Sequence, residues 1–242
     1  MQVENESPTS WGAFYERIEH SIENARTLET ASRQLIDCLY SELSQSVVLA
    51  RVFATLRLSE LTPDLQEFAR RLARTASLEL SQDSFALTLL GTAGESPAWN
   101  ARLRSVGHQA IPLVSAGFIT AIPMMSALLD QMGFDLGWIR GEPGLMARSM
   151  GKMAGTFFVE DAATTRDSRG RLVIAAQDFV RQYGVKTVFG FGGGYAIGGR
   201  FVVVICFLRQ RIGKAAAIRF QSLVNIFKSK TGPFITDPRK IF

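Results

Sequence analysis

The stretch V185-KTVFGFGGGYAIGGRFVVVICFLRQ-210 decides how the rest of the chain is read. Its second half, Phe201 to Leu208, is apolar at every position and rich in β-branched residues. Phe201, Val203, Ile205 and Phe207 share one parity, and Val202, Val204, Cys206 and Leu208 share the other. A strand that is apolar on both faces is covered on both, so it belongs in the middle of a sheet. Its first half places Val185, Thr187, Phe189 and Phe191 on one face. The glycines between the halves then supply a hairpin turn, where residues tolerant of positive φ are needed.

The same glycines invite a phosphate-loop reading, which the register excludes. A G-x-G-x-x-G motif begun at Gly190 meets Tyr195 where the third glycine is required, and one begun at Gly192 meets Ile197. No Gly-Lys-Ser/Thr follows. A strand comes next, whereas both phosphate motifs open a helix.

Outward from this hairpin, hydrophobic periodicity assigns the other elements. Residues 1–10 read as a disordered N-terminus. From Trp11 to Leu43, apolar residues at Phe14, Ile18, Ile22, Ala25, Leu28, Leu35, Leu39 and Leu43 keep the helical period and predict one long helix, with Ser10 as its N-cap. Residues 47–58 alternate, with Val48, Ala50, Val52, Ala54, Leu56 and Leu58 on the apolar parity and Arg51, Thr55 and Arg57 on the other, which predicts a half-buried strand. A helix follows from Thr62-Pro63 to about Ala73.

Residues 85–94 and 155–162 predict further strands, and 134–139 a short one. Helices are expected after Ser115, restarting at Pro123 and closed by Gly133, and again at 175–184. Residues 95–112 and 141–153 read as irregular connections, and 164–171 as a turn or loop. A last helix over 213–229 carries Ala216, Phe220, Leu223 and Phe227 as a packing seam, and residues 230–242 read as a linker-like tail. Strands and helices do not alternate as a doubly wound parallel sheet would require. The expected architecture is α+β: a central antiparallel sheet flanked by helices, in a single domain over 11–229.

Composition narrows the function. With 47% hydrophobic residues the chain can bury a sizeable core. No apolar run approaches a membrane span, and the polar start lacks a secretory signal, so a cytoplasmic location without membrane association is expected. The net charge of +5 suggests nucleic acid, but its distribution does not. Residues 1–50 hold eight acids against three arginines, and residues 201–242 hold eight bases against Asp237. Complementary ends of this kind pack on each other or on a second copy. A basic stripe interleaved with stacking aromatics is not evident, so nucleic acid is not an expected partner.

No catalytic constellation is found: G-x-S-x-G is absent, and neighbouring Glu160 and Asp161 point apart on a strand. Two histidines and two distant cysteines cannot build a clustered structural zinc site. His20 sits at helical spacing from Glu16 and Glu23 and reads as an ion-pair partner. His108 follows a polar segment with Trp99 and could order its loop or serve as a haem axial ligand. The methionines clustered over 124–153 could line an adaptable pocket or fill a loose helix core.

Three longer phrases, 35–66, 87–113 and 175–223, together resemble the N-terminal GAF-like sensory region of bacterial sensor histidine kinases and related PAS-containing signalling proteins. The resemblance covers most of residues 30–228. It implies a GAF/PAS-like central sheet with a pocket on one side and long terminal helices packed together on the other. It also implies a homodimer through those helices and output to a downstream signalling protein or domain, as in two-component systems.

The chain departs from that pattern in having no phosphoacceptor motif or ATP-binding domain, which makes it a lone module or an excised fragment. Neither Cys38 nor Cys206 looks placed to hold a bilin, and a cyclic-nucleotide signature is not recognisable. The expectation is a non-enzymatic ligand-sensing domain whose pocket is walled by 95–112 and 133–165. Its candidate contacts are Trp99, Arg102, His108, Met146, Met150 and Phe158. A haem-based gas sensor using His108 and a ligand-free interaction scaffold are the alternatives.

Overall fold

The computed structural model describes residues 8–133, 154–196 and 199–242. Its strands are β1 (Val47–Arg57), β2 (Phe85–Gly94), β3 (Ala110–Pro112), β4 (Ala154–Val159), β5 (Thr187–Gly194) and β6 (Phe201–Leu208). They form one sheet in the order β3-β2-β1-β6-β5-β4, with every neighbouring pair antiparallel. The architecture is the expected α+β one, and β6 sits beside β1 at its centre.

The two parities of β6 feed two separate cores. Val202, Val204, Cys206 and Leu208 pack under the helices, while Phe201, Val203 and Ile205 pack on the opposite face. In β5, Phe189 and Phe191 join the helix side. Val185 falls before the strand and packs on the other side, so it does not share their face.

The glycines do more than turn the chain. A Cβ at Gly190 would lie 2.6 Å from Ile205 Cδ1, and one at Gly192 would lie 2.6 Å from Val202 O. Bare backbone in β5 therefore gives the side chains of β6 room on that face. The turn itself closes with Tyr195 N–H donating to Arg200 O at 2.8 Å, and Gly199 takes a φ of 61°.

The helices correct several expectations. The N-terminal helix is two: α1 (Pro8–Ile22) and α2 (Leu28–Leu43). All eight apolar residues that suggested a single helix are buried, because the short break keeps them in one helix-side core. Thr27 ends the break as an N-cap, accepting from Thr30 N–H at 3.1 Å. Residues 8–10, read as disordered, open α1, so Ser10 lies inside the helix; residues 1–7 lie outside the described part.

The helix α3 (Pro63–Thr75) begins with Pro63 as expected, though the Thr62 side chain makes no capping bond. The region after Ser115 holds α4 (Ala116–Ala121) and α5 (Pro123–Gln131), followed by Gly133 at φ 78°. The helix α6 (Gln177–Gln182) precedes Gly184 at φ 65°. The expected strand at 134–139 and the connection at 141–153 lie outside the described residues.

The C-terminal helix bends at Phe220 into α7 (Lys214–Arg219) and α8 (Gln221–Ile235). Phe220 is buried edge-on against Trp11, 4.9 Å between ring centres. The segment from Lys230, read as a linker, continues α8 to Ile235. It buries Thr231, Ile235 and Ile241, and Ile241 O accepts from Glu29 N–H at 2.8 Å. The complementary ends meet within the chain: α8 packs on α1 and α2, and Lys230 Nζ lies 3.0 Å from Glu19.

Candidate functional site

The strand β1 was expected to be half-buried, yet most of it is covered on both faces. Ala50, Val52, Ala54 and Leu56 face the helices. Leu49, Arg51 and Phe53 face a cavity of about 550 Å³ on the opposite side, together with Ile205 and Phe207 of β6. These five residues are its floor. The segment after β2 supplies one wall with Ala98, Trp99, Arg104, Ser105, Val106 and His108. The α4–α5 junction supplies Ile122, Pro123 and Met124, and the chain entering α6 supplies Val173 to Ala176 and Phe179.

Local bonding holds the first wall in place. Gly94 makes room for Trp99, since a Cβ there would lie 2.8 Å from Trp99 Cε3. Gly94 N–H donates to Asn100 Oδ1 at 2.8 Å. The Trp99 ring packs against Tyr183 and Phe179, at 4.6 and 5.5 Å between centres. Gln109 Nε2 donates to the carbonyls of Leu103 and Ser105 at 3.0 and 2.9 Å, bracing the loop beneath His108.

Besides the Trp99 indole, the polar side chains of the cavity are Arg51, Arg104, Ser105 and His108. Arg51 rises from the floor at the centre of the sheet, paired in register with Thr92 and Ile205. Its Nε is shielded from solvent and has no hydrogen-bond partner. Burial pulls its pKa below the ordinary arginine value. Ser105 Oγ is likewise buried without a partner.

His108 is an exposed residue of the lining, and its Nδ1 lies 3.2 Å from Val106 O. Crowding by protein atoms, and then the charge of Arg51, lower its pKa, so the imidazole is neutral near pH 7. In the tautomer whose Nδ1–H donates to Val106 O, the lone pair lies on Nε2. No carboxylate is among the described lining residues.

Of the residues named from sequence, Trp99 and His108 line the cavity. Arg102 does not. It turns away to pair with Glu29 at the start of α2, and its guanidinium lies over the Phe242 ring at 5.2 Å. Phe158 packs on the helix-side core, because it alternates with Phe157, which faces the other way. Met146 and Met150 lie outside the described residues; Met124 is the methionine of that cluster seen in the wall. Of the segment 95–112 named as a wall, residues between Ala98 and His108 line the cavity. Within 133–165 the described residues do not line the cavity, and residues 173–179 take that place.

Sequence reasoning missed Arg51, Arg104 and Ser105. The available signal was Arg51, a charge on the open parity in the middle of an apolar strand.

Cys206 lies on the helix face, fully buried, and burial pushes its thiol pKa far up. Cys38 sits on α2 at the edge of the same helix-side core, and burial raises its thiol too. Neither reaches the cavity, so a bilin would find no described thiol there for a covalent link. Among the described residues no group of three or more His, Cys, Asp or Glu could hold a metal ion, and no helix is long and apolar enough to cross a membrane.

No family model matches the sequence, and no curated protein matches it. Solved structures do. A free methionine-R-sulfoxide reductase from Neisseria meningitidis in complex with its substrate is similar over 96% of both chains, with a TM-score of 0.50 and 9% identity. The fold is GAF-like. The far-red absorbing dark state of a protein with bound biliverdin IXa aligns over 91% of this chain and 98% of its own, with a TM-score of 0.46 and 8% identity. A phycoerythrobilin-bound GAF domain from a cyanobacterial phytochrome aligns over 93% and 95%, with a TM-score of 0.40 and 10% identity. The likeness to the reductase is one of fold alone. Within this GAF-like sheet, one face carries the helices and the other carries the cavity.

Proposed function

We propose that this GAF-like domain binds a small molecule in the cavity over β1 and β6 and acts as a sensor. The observation that carries the reading is the cavity itself. It has the volume of a small-molecule site, an apolar and aromatic lining, and a few convergent polar groups. It also lies back to back with the helix layer. Ile205 and Phe207 touch the cavity, while Cys206 and Leu208, one residue along, lie under the helices.

Arg102 offers a second connection. It belongs to the wall segment that carries Trp99 and His108, and it is bonded to Glu29 of α2. Ligand contact with the wall would bias the position of α2 by this link, a shift between pre-existing states. Transmission by the terminal helices of a homodimer to a downstream signalling partner completes the proposal.

Thermal-shift screening of a metabolite library against the wild type and an Ala176→Trp variant tests it. The reading predicts compounds that stabilise the wild type in a concentration-dependent way and lose this effect when the indole narrows the cavity. A library that stabilises neither protein, or both alike, overturns it.

A haem held by His108 is the second reading, favoured by a neutral imidazole in the cavity wall. It predicts a Soret band after haemin addition that disappears in His108→Ala. Its absence in the wild type ends that reading.

A further inference from the structure

We infer that the cavity takes an organic carboxylate with an apolar or aromatic body, its anionic end seated on Arg51. This rests on the small-molecule reading above and names the class of ligand.

The charge balance of the cavity is one-sided. Arg51 and Arg104 line it, and no described lining residue is an acid. Three other buried or half-buried arginines have counter-ions in place, while the half-buried Arg70 donates to Gln66. Arg200 is paired with Glu60, Arg102 with Glu29 and Arg171 with Asp167. Arg51 differs in its charge partner. One Arg102 nitrogen is also buried without a hydrogen bond, but Arg102 has Glu29. The Arg51 Nε is buried unbonded in a cavity whose described lining holds no carboxylate. A half-buried cation with a shielded, unbonded Nε and no anion beside it is costly, and a fold keeps one where something else supplies the negative charge.

The remaining features fit a monoanion. A guanidinium fork matches the two oxygens of one carboxylate. Ser105 Oγ is a second buried donor in the wall without a partner. The N-terminus of α5 opens on the cavity at Ile122 to Met124 and adds the positive end of its dipole. A phosphate dianion would ask for more charge or a cradle of backbone N–H groups, and Pro123 removes one such group here. Phe53, Trp99, Phe179 and Phe207 leave the rest of the lining suited to a ring or alkyl chain.

Isothermal titration of 4-phenylbutyrate, 4-phenylbutanamide and 4-phenylbutylamine, which share one body and differ in end charge, tests the inference. The butyrate should bind about tenfold or more tighter than the amide, with the amine weakest, as expected for a charge-assisted hydrogen bond. Arg51→Met should abolish that advantage while keeping the amide's affinity. The ranking on the wild type is decisive even if the variant folds poorly. An amide or amine that binds as well as the butyrate overturns the carboxylate and leaves the small-molecule reading standing. Failure of all three to bind at millimolar concentration counts against both.

Discussion

Arg51→Met should make the ligand-free protein more stable. The side chain crosses the apolar floor between Leu49 and Phe53, and its Nε is buried with no partner. A buried donor left unsatisfied costs about 1–3 kcal/mol, more if charged. Arg51 is only half-buried, so water reaches part of its guanidinium and the low end of that range applies. Methionine keeps the aliphatic stem and drops the charge. The expected gain is about 1 kcal/mol, or about 2–4 °C in Tm for a chain of this length. Dialysed protein would be followed by calorimetry and by urea denaturation with an unchanged slope. The gain in stability would come with loss of carboxylate binding, the trade-off expected of a residue kept for function. A variant that melts lower than the wild type would show that the fold already satisfies Arg51, and the reasoning would fail.

Three further outcomes follow from the same structure. Gly192→Ala should cost about 1–3 kcal/mol, because its Cβ meets Val202 O, whereas Gly12→Ala in α1, with open space around it, should gain about 0.5–1 kcal/mol; equal effects in urea denaturation would refute the packing role of the glycines. Glu60→Gln should cost about 3 kcal/mol, since Glu60 and Arg200 are both nearly buried, while Asp178→Asn in an exposed pair should change stability by less than about 0.5 kcal/mol. The Arg211 side chain, then Ala163 N–H, hold the Asp161 carboxyl below its ordinary value. Its contribution is therefore full above about pH 3.9 and is lost as pH falls through the lower folded value. Arg211→Gln should raise the Asp161 midpoint in carbon-detected NMR titration, and an unmoved midpoint would refute the assignment.

The sheet was legible because its central strand carries the evidence on both parities. Phe201 to Leu208 could only be covered on two sides, and the antiparallel order followed. The break between α1 and α2 was not legible from periodicity, because Ala25 and Leu28 keep the helical spacing through it; Thr27 as a cap was the local sign. The bend at Phe220 is hidden in the same way, by a seam whose members all stay buried.

The site was half legible. Trp99 and His108 stood out as unusual residues in a polar segment. Arg51 was assigned to the open side of a half-buried strand, since a single sequence does not reveal that residues 98–124 and 173–179 fold back over that side. Arg102 and Arg104 are two residues apart in one turn, and only tertiary structure separates the one that grips Glu29 from the one that lines the cavity.

Native mass spectrometry of protein purified without denaturation tests the central claim, that this cavity holds a small molecule, most directly. The wild type should carry an added mass of small-molecule size that is released on denaturation, and Ala176→Trp should carry none. Identical bare masses for the two proteins, or an added mass that persists undiminished in the variant, would contradict it.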